Sequence, residues 1–139
     1  MGVEQGIENA IKQFVICKGG FITKVQSGSV MKAYTNTQGI TRQCKIKLAE
    51  AGTPDMMGVL NGHFIGVEVK KNDKEVQKWL AYPNGLRGKP VKFDKRVDAQ
   101  KEASKQIRSA GGFFAIVSSV DELEEDLISV GILPAQSEA

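Results

Sequence analysis

The spacing of apolar side chains changes along the chain, and each change marks an element. Val3, Ile7, Ala10, Ile11 and Phe14 share one stripe at helical spacing, with Glu4, Gln5, Glu8, Asn9 and Lys12 elsewhere. This predicts a helix over 3–17, ended by Gly19-Gly20. Residues 21–25 alternate as a strand, with Ile22 and Lys24 on one face. Residues 26–43 turn polar and small and read as a loop holding a short extended piece around Val30 to Tyr34. From Gln43 to Leu48 the alternation returns, predicting a half-exposed strand whose outer face carries Lys45 and Lys47. Gly52 to Lys70 then reads as two apolar strands joined at Asn61-Gly62, a dipeptide that takes the positive φ angles of a tight hairpin.

The second half is more helical. Asn72 or Asp73 caps a short helix through Val76, Trp79 and Leu80, broken at Tyr82-Pro83-Asn84-Gly85 and again at Gly88-Lys89-Pro90. A longer helix follows from about Lys95 to Ala110, with Ala99, Gln100, Ala103, Ile107 and Ala110 on its inner stripe, and Gly111-Gly112 closes it. Gln100 is the polar exception on that stripe. The continuous apolar run Phe113 to Val117 is a strand buried on both faces. Ser119 with Glu122 makes a capping box for a last helix with Leu123, Leu127 and Val130 inward, stopping at Gly131 and Pro134. The expected fold is one α/β domain over 1–134, a mixed β-sheet flanked by helices, with a frayed tail at 135–139.

Composition adds little to this picture, but charge adds more. Apolar content of 41% and charged content of 25% suit a globular domain with a real core. No run approaches the roughly 18 apolar residues of a membrane helix, and no basic-then-apolar leader opens the chain, so an intracellular, cytoplasmic protein is expected. Cys17 and Cys44 stand alone and read as reduced structural thiols, Cys17 at the end of the first helical stripe. Residues 70–108 carry twelve Lys and Arg against five Asp and Glu, whereas residues 109–139 carry six acidic and no basic side chains. A polyanion would therefore meet the middle of the chain and avoid its end. Within that middle, 71–96 reads either as a flexible basic arm with Trp79 and Tyr82 or as a surface excursion pinned to the core by Trp79.

Candidate chemistry concentrates in the hairpin. Glu68 and Lys70 lie two apart on a strand and share a face, and folding the hairpin brings Asp55 alongside Glu68. Two carboxylates and an ammonium on strands built for burial must be paired or must bind something, and oxygen ligands suit a hard cation. Glu4 and Glu8, one turn apart on the first helix, fit a solvated surface as well as a lean toward this site. His63, the only histidine, sits beside the turn as a surface residue, and no phosphate-cradling glycine loop or serine triad is present.

Asp55 after a proline, Glu68-Val69-Lys70 thirteen residues on, and Glu8 upstream resemble the PD-(D/E)XK nuclease pattern. Gly-Thr-Pro-Asp, the hairpin, Phe-Ile-Gly-Val-Glu-Val-Lys, Gln100 eleven residues before Gly111, and Phe-Ala-Ile-Val-Ser-Ser-Val-Asp-Glu-Leu together resemble the VRR-NUC family of that superfamily, over nearly the whole chain. Small stand-alone members of this kind are typical of bacteriophages and prophages, so a bacterial host cytoplasm is the implied setting. The resemblance implies a restriction-endonuclease-like core and Mg²⁺ or Mn²⁺ held by Asp55, Glu68, the Val69 backbone carbonyl and Glu8, with Glu4 in reserve. It implies that Lys70 positions the attacking water and offsets phosphate charge. Gln100 would orient these groups, although Gln77, nearer to Lys70, competes for that role.

The implied activity is a metal-dependent DNA endonuclease that hydrolyses phosphodiester bonds, selective for branched or junction DNA as a Holliday-junction resolvase is, and a homodimer. Lys24, Lys45, Lys47, Lys71, Lys74, Lys78 and Arg87 are the candidate DNA contacts. The alternatives are a non-catalytic DNA-binding module and a sequence-specific restriction-type endonuclease.

Overall fold

The computed structural model describes residues 2–25, 29–47, 52–85 and 92–135, with side chains at all of these except 29–32 and 44–47. Arg87 and the tail beyond Ala135 lie outside the described residues, as do the side chains of Cys44, Lys45 and Lys47. The element order is α1 (Val3–Cys17), β1 (Phe21–Lys24), β2 (Ser29–Thr35), β3 (Thr41–Lys47), β4 (Met56–Leu60), β5 (His63–Val69), α2 (Asp73–Ala81), α3 (Lys95–Ser109), β6 (Phe113–Val117) and α4 (Val120–Ser129).

Four strands form one mixed sheet in the order β1-β4-β5-β6. β4 pairs antiparallel with β1 and β5, and β6 runs parallel to β5, Glu68 opposite Ile116. The hairpin turn is the expected one, with Asn61 at φ 50° and Gly62 at φ 79°. Asn61 also donates its side-chain amide to the Ile132 carbonyl at 2.7 Å, tying the turn to the end of the described chain.

Alternation sorts the strand side chains between two apolar clusters. Ile65, Val67, Val69, Ala115 and Val117 meet Ile11 and Val15 of α1 and Leu123 and Leu127 of α4 on one face. Phe114 and Ile116 meet Val76 and Trp79 of α2, with Val97 and Ile107 of α3, on the other. This second face is covered by helices only over β5 and β6. Toward β1 it opens, and Phe21, Val59 and Phe64, one cross-strand row, are 64%, 50% and 38% exposed.

Several expectations are corrected. The strand expected at 43–48 does not join the mixed sheet. It runs over Thr41–Lys47 and pairs with β2 in a separate two-stranded ribbon, Tyr34 opposite Arg42. Asn36 closes that ribbon, its Oδ1 accepting from the Gln38 and Ile40 backbone amides, a side-chain turn that a polar stretch conceals. In α1 the buried positions are Glu8, Ile11 and Val15, while Val3 and Ala10 are exposed. Cys17, two residues beyond Val15 and so on the opposite side of the helix, is exposed rather than a structural thiol.

At the end of α4, Val130 is exposed, and Ile132 and Leu133 fill the core after Gly131 turns the chain at φ 80°. The capping box is shifted: Ser119 Oγ accepts from the Glu122 amide, but the Glu122 carboxylate accepts from the amide and hydroxyl of Ser118. Of the two readings of 71–96, the pinned one holds over 71–85. Asn72 caps α2 through the Glu75 amide, and Trp79 and Tyr82 are buried. No described helix is long and apolar enough to cross a membrane.

Candidate functional site

Strand geometry assembles the site. On the open face, successive cross-strand rows run from Phe21, Val59 and Phe64 to Thr23, Met57 and Gly66, and the next row is Val25, Asp55 and Glu68. Val25 donates its amide to the Asp55 carbonyl at 2.7 Å, fixing the backbone from which the Asp55 side chain leaves. Pro54, buried against Gly66, holds the approach to that position.

Asp55 and Glu68 clasp each other through the backbone. The Asp55 amide donates to Glu68 Oε2 at 3.2 Å, and the Val69 amide donates to Asp55 Oδ2 at 3.0 Å. An extended residue points its N–H and C=O to the same strand edge, so the Val69 carbonyl opens toward Asp55 too. Gln100 Nε2 donates to Glu68 Oε1 at 3.0 Å, and Trp79 Nε1 donates to Gln100 Oε1 at 2.9 Å. Glu68 is 1% exposed and Gln100 4%.

The electrostatics follow from this burial. Desolvation first, and the charge of Asp55 second, push the Glu68 carboxyl up to about 8, while Lys70 pulls it the other way. Lys70 continues β5 by one residue, half-buried, its amide bonded to the Val117 carbonyl. Two carboxylates and the Val69 carbonyl are thus gathered where one negative charge already penalises the next. A divalent cation relieves that penalty, and Mg²⁺ in particular is held by one or two carboxylates while keeping several waters. The donor set fits such an ion.

The structure brings together Asp55, Glu68, Val69, Lys70 and Gln100 and leaves two candidates apart. Gln77 is exposed and bonds to Asp73, so Gln100 is the glutamine beside the carboxylates. Glu8 lies across the sheet, on the α1 side. It is only 7% exposed, lines a cavity of about 150 Å³ with Lys24 and Met56, and is paired with Lys24 at 3.5 Å. Its Oε2 has that ion pair but no hydrogen bond. Glu8 was expected among the ligands, and its carboxylate here is paired with Lys24 on the α1 side of the sheet. Glu4 is exposed on α1. Among the described residues no three acidic, histidine or cysteine side chains converge as a metal cluster.

Lys24, Lys71, Lys74 and Lys78 are exposed, as contacts to a polyanion require, although Lys24 pairs with Glu8 and Lys78 with Glu75. His63 is exposed beside the turn. It lines a groove of about 580 Å³ along the outer edge of β6 with Leu80, Arg108, Phe113 and Asp126, apart from the Asp55–Glu68 row. The Asp55–Glu68 row therefore lies on the sheet face that opens toward β1 and not in this groove. The residue that sequence reasoning missed in the site is Trp79. Twenty-one positions separate it from Gln100, and no local spacing links them. No family model matches this chain, and no curated protein matches it.

Proposed function

We propose that the protein is a metal-dependent DNA endonuclease with a PD-(D/E)XK core of the VRR-NUC kind. One observation carries the reading. Asp55 and the buried Glu68 are clasped side by side at a strand end, with Lys70 next along the strand and Gln100 bonded to Glu68. A structural role would not require two carboxylates against each other, one of them pushed up to about 8.

Asp55, Glu68 and the Val69 carbonyl would hold Mg²⁺ or Mn²⁺. When bound, such an ion supplies Lewis-acid charge to the phosphoryl group and acidifies water for attack. The chain's own contributions are positional and electrostatic. Lys70 places a fixed positive charge where phosphate negative charge grows, and Gln100 holds the Glu68 carboxylate in one orientation. A duplex would approach over the face beyond Thr23 and Met57, where Phe21 and Val59 are exposed.

The basic surface supports DNA as partner. Residues 20–48 include Lys24, Lys32, Arg42, Lys45 and Lys47 and no acidic residue. The β2–β3 ribbon within this stretch is inserted in the chain between β1 and β4. A two-stranded ribbon fits a major groove, and its charge favours a polyanion. A single small domain has little surface for reading a long sequence. Branched DNA is therefore the favoured substrate, and a homodimer would supply paired cuts.

Metal binding is tested by melting. Saturating Mn²⁺ is expected to raise the melting midpoint by about 5–10 °C, as binding at a hundredfold excess over Kd adds about 2.7 kcal/mol. Asp55→Ala should remove the rise. A wild-type midpoint indifferent to Mg²⁺ and Mn²⁺ would favour the non-catalytic DNA-binding reading.

A further inference from the structure

Trp79 is the only tryptophan of the chain, and it is joined to Glu68 through one side chain. An indole N–H only donates and a carboxylate only accepts. Gln100 stands between them with one acceptor and one donor, so a single orientation of its amide satisfies both neighbours. In that orientation Oε1 faces Trp79 and Nε2 faces Glu68, at 2.9 and 3.0 Å. Reversed, the amide would set its oxygen against the carboxylate and its NH₂ against the indole N–H.

The indole is itself immobilised. Phe114 stacks on one side, its ring centroid 5.9 Å away at 25°, and Lys101 Nζ lies 4.6 Å from the ring centroid. Lys101 is held there by donating to the Leu80 carbonyl at 3.3 Å. A cation over the ring draws electron density from it and makes the N–H a stronger donor. Trp79 is 7% exposed, so water competes little for that hydrogen bond.

We propose that Trp79 is the positioning residue of the metal centre: its indole N–H fixes the Gln100 amide, which presents Glu68 to the ion in one rotamer. The inference rests on the proposed role of Glu68 as a metal ligand. Partners one shell behind a ligand typically change metal affinity by about 10–100-fold when removed. Trp79→Phe keeps the aromatic ring over Phe114 and deletes only the N–H.

The test is Mn²⁺ binding by calorimetry in a double-mutant cycle of Trp79→Phe and Gln100→Ala, with the Mg²⁺ response of Trp79 emission as a second readout. Each single variant is expected to weaken Mn²⁺ about tenfold, and the pair no further, because Trp79 acts through Gln100. Wild-type emission should shift on adding Mg²⁺, and Gln100→Ala should abolish the shift. Loss of packing alone would lower the melting midpoint without producing this pattern. If wild-type protein binds Mn²⁺ and Trp79→Phe binds it equally well, or if the two losses multiply, the positioning role is overturned while the metal site stands. If wild-type protein binds no Mn²⁺, the metal reading falls and this inference falls with it.

Discussion

Glu68→Gln is expected to make the metal-free protein more stable above pH 8 while abolishing its response to Mn²⁺. The Glu68 carboxyl titrates at about 8 in the folded chain against 4.5 as the ordinary value, because burial first and Asp55 second oppose its ionisation. Between those two values the folded state keeps a proton that the unfolded state has released. Stability from this group is therefore complete below about pH 4.5 and is lost as pH rises through 8. At about 1.36 kcal/mol per pH unit, the loss approaches 5 kcal/mol.

Glutamine has no proton to lose and escapes that penalty. It sets an NH₂ group against one of the two donors that Glu68 accepts from, Asp55 N–H or Gln100 Nε2, and gives up about 1–3 kcal/mol. The net gain is about 2–4 kcal/mol at pH 8–9. Urea unfolding from pH 5 to 9 checks it: wild-type stability should fall across that range, and the variant should lack this component. Equal slopes for the two proteins would contradict the argument. The same balance makes metal affinity rise with pH up to about 8, since binding displaces the proton.

Gly52→Ala is expected to cost about 3 kcal/mol, whereas Gly62→Ala costs about 1 kcal/mol, although both positions have positive φ. Gly52 sits at φ 85°, and a Cβ there would overlap the Ala99 carbonyl and come within 2.9 Å of the Gln100 amide nitrogen. Both are backbone atoms of α3, so relief requires the helix to move. Gly62, at φ 79°, has open space around it and bears only the conformational strain. The Gly52 contact joins the loop carrying Asp55 to the helix carrying Gln100. Shifting it should also weaken Mn²⁺ binding, which Gly62→Ala leaves unchanged. Urea titrations and calorimetry on the two variants decide this, and equal stability losses would mean that the close approach has no energetic weight.

The sequence made the strongly periodic parts of this fold legible. α1, the Asn61-Gly62 hairpin, α3 with its Gly111 end and the buried β6 follow from local patterns that tertiary contacts reinforce. The adjacency of Asp55 and Glu68 was legible as well, because hairpin register is fixed by a two-residue turn. What escaped is non-local. The buried position of Glu8 is concealed because a charged residue is read as solvated, yet it lies on the stripe with Ile11 and Val15. The ribbon is concealed because its turn depends on the Asn36 side chain. Trp79 reaches the site only because α2 and α3 pack on the same face of β6, and no spacing in the chain encodes that meeting.

The most direct measurement of the central claim is cleavage of a labelled four-way junction, with flap, single-stranded and linear duplex DNA alongside, by wild type and Lys70→Met in Mn²⁺ and in EDTA. The account predicts cutting of branched DNA by the wild type only with metal, and a rate at least about a hundredfold lower for Lys70→Met, the scale on which one preorganised electrostatic group acts. No cleavage of any substrate, or undiminished cleavage by Lys70→Met, would contradict it.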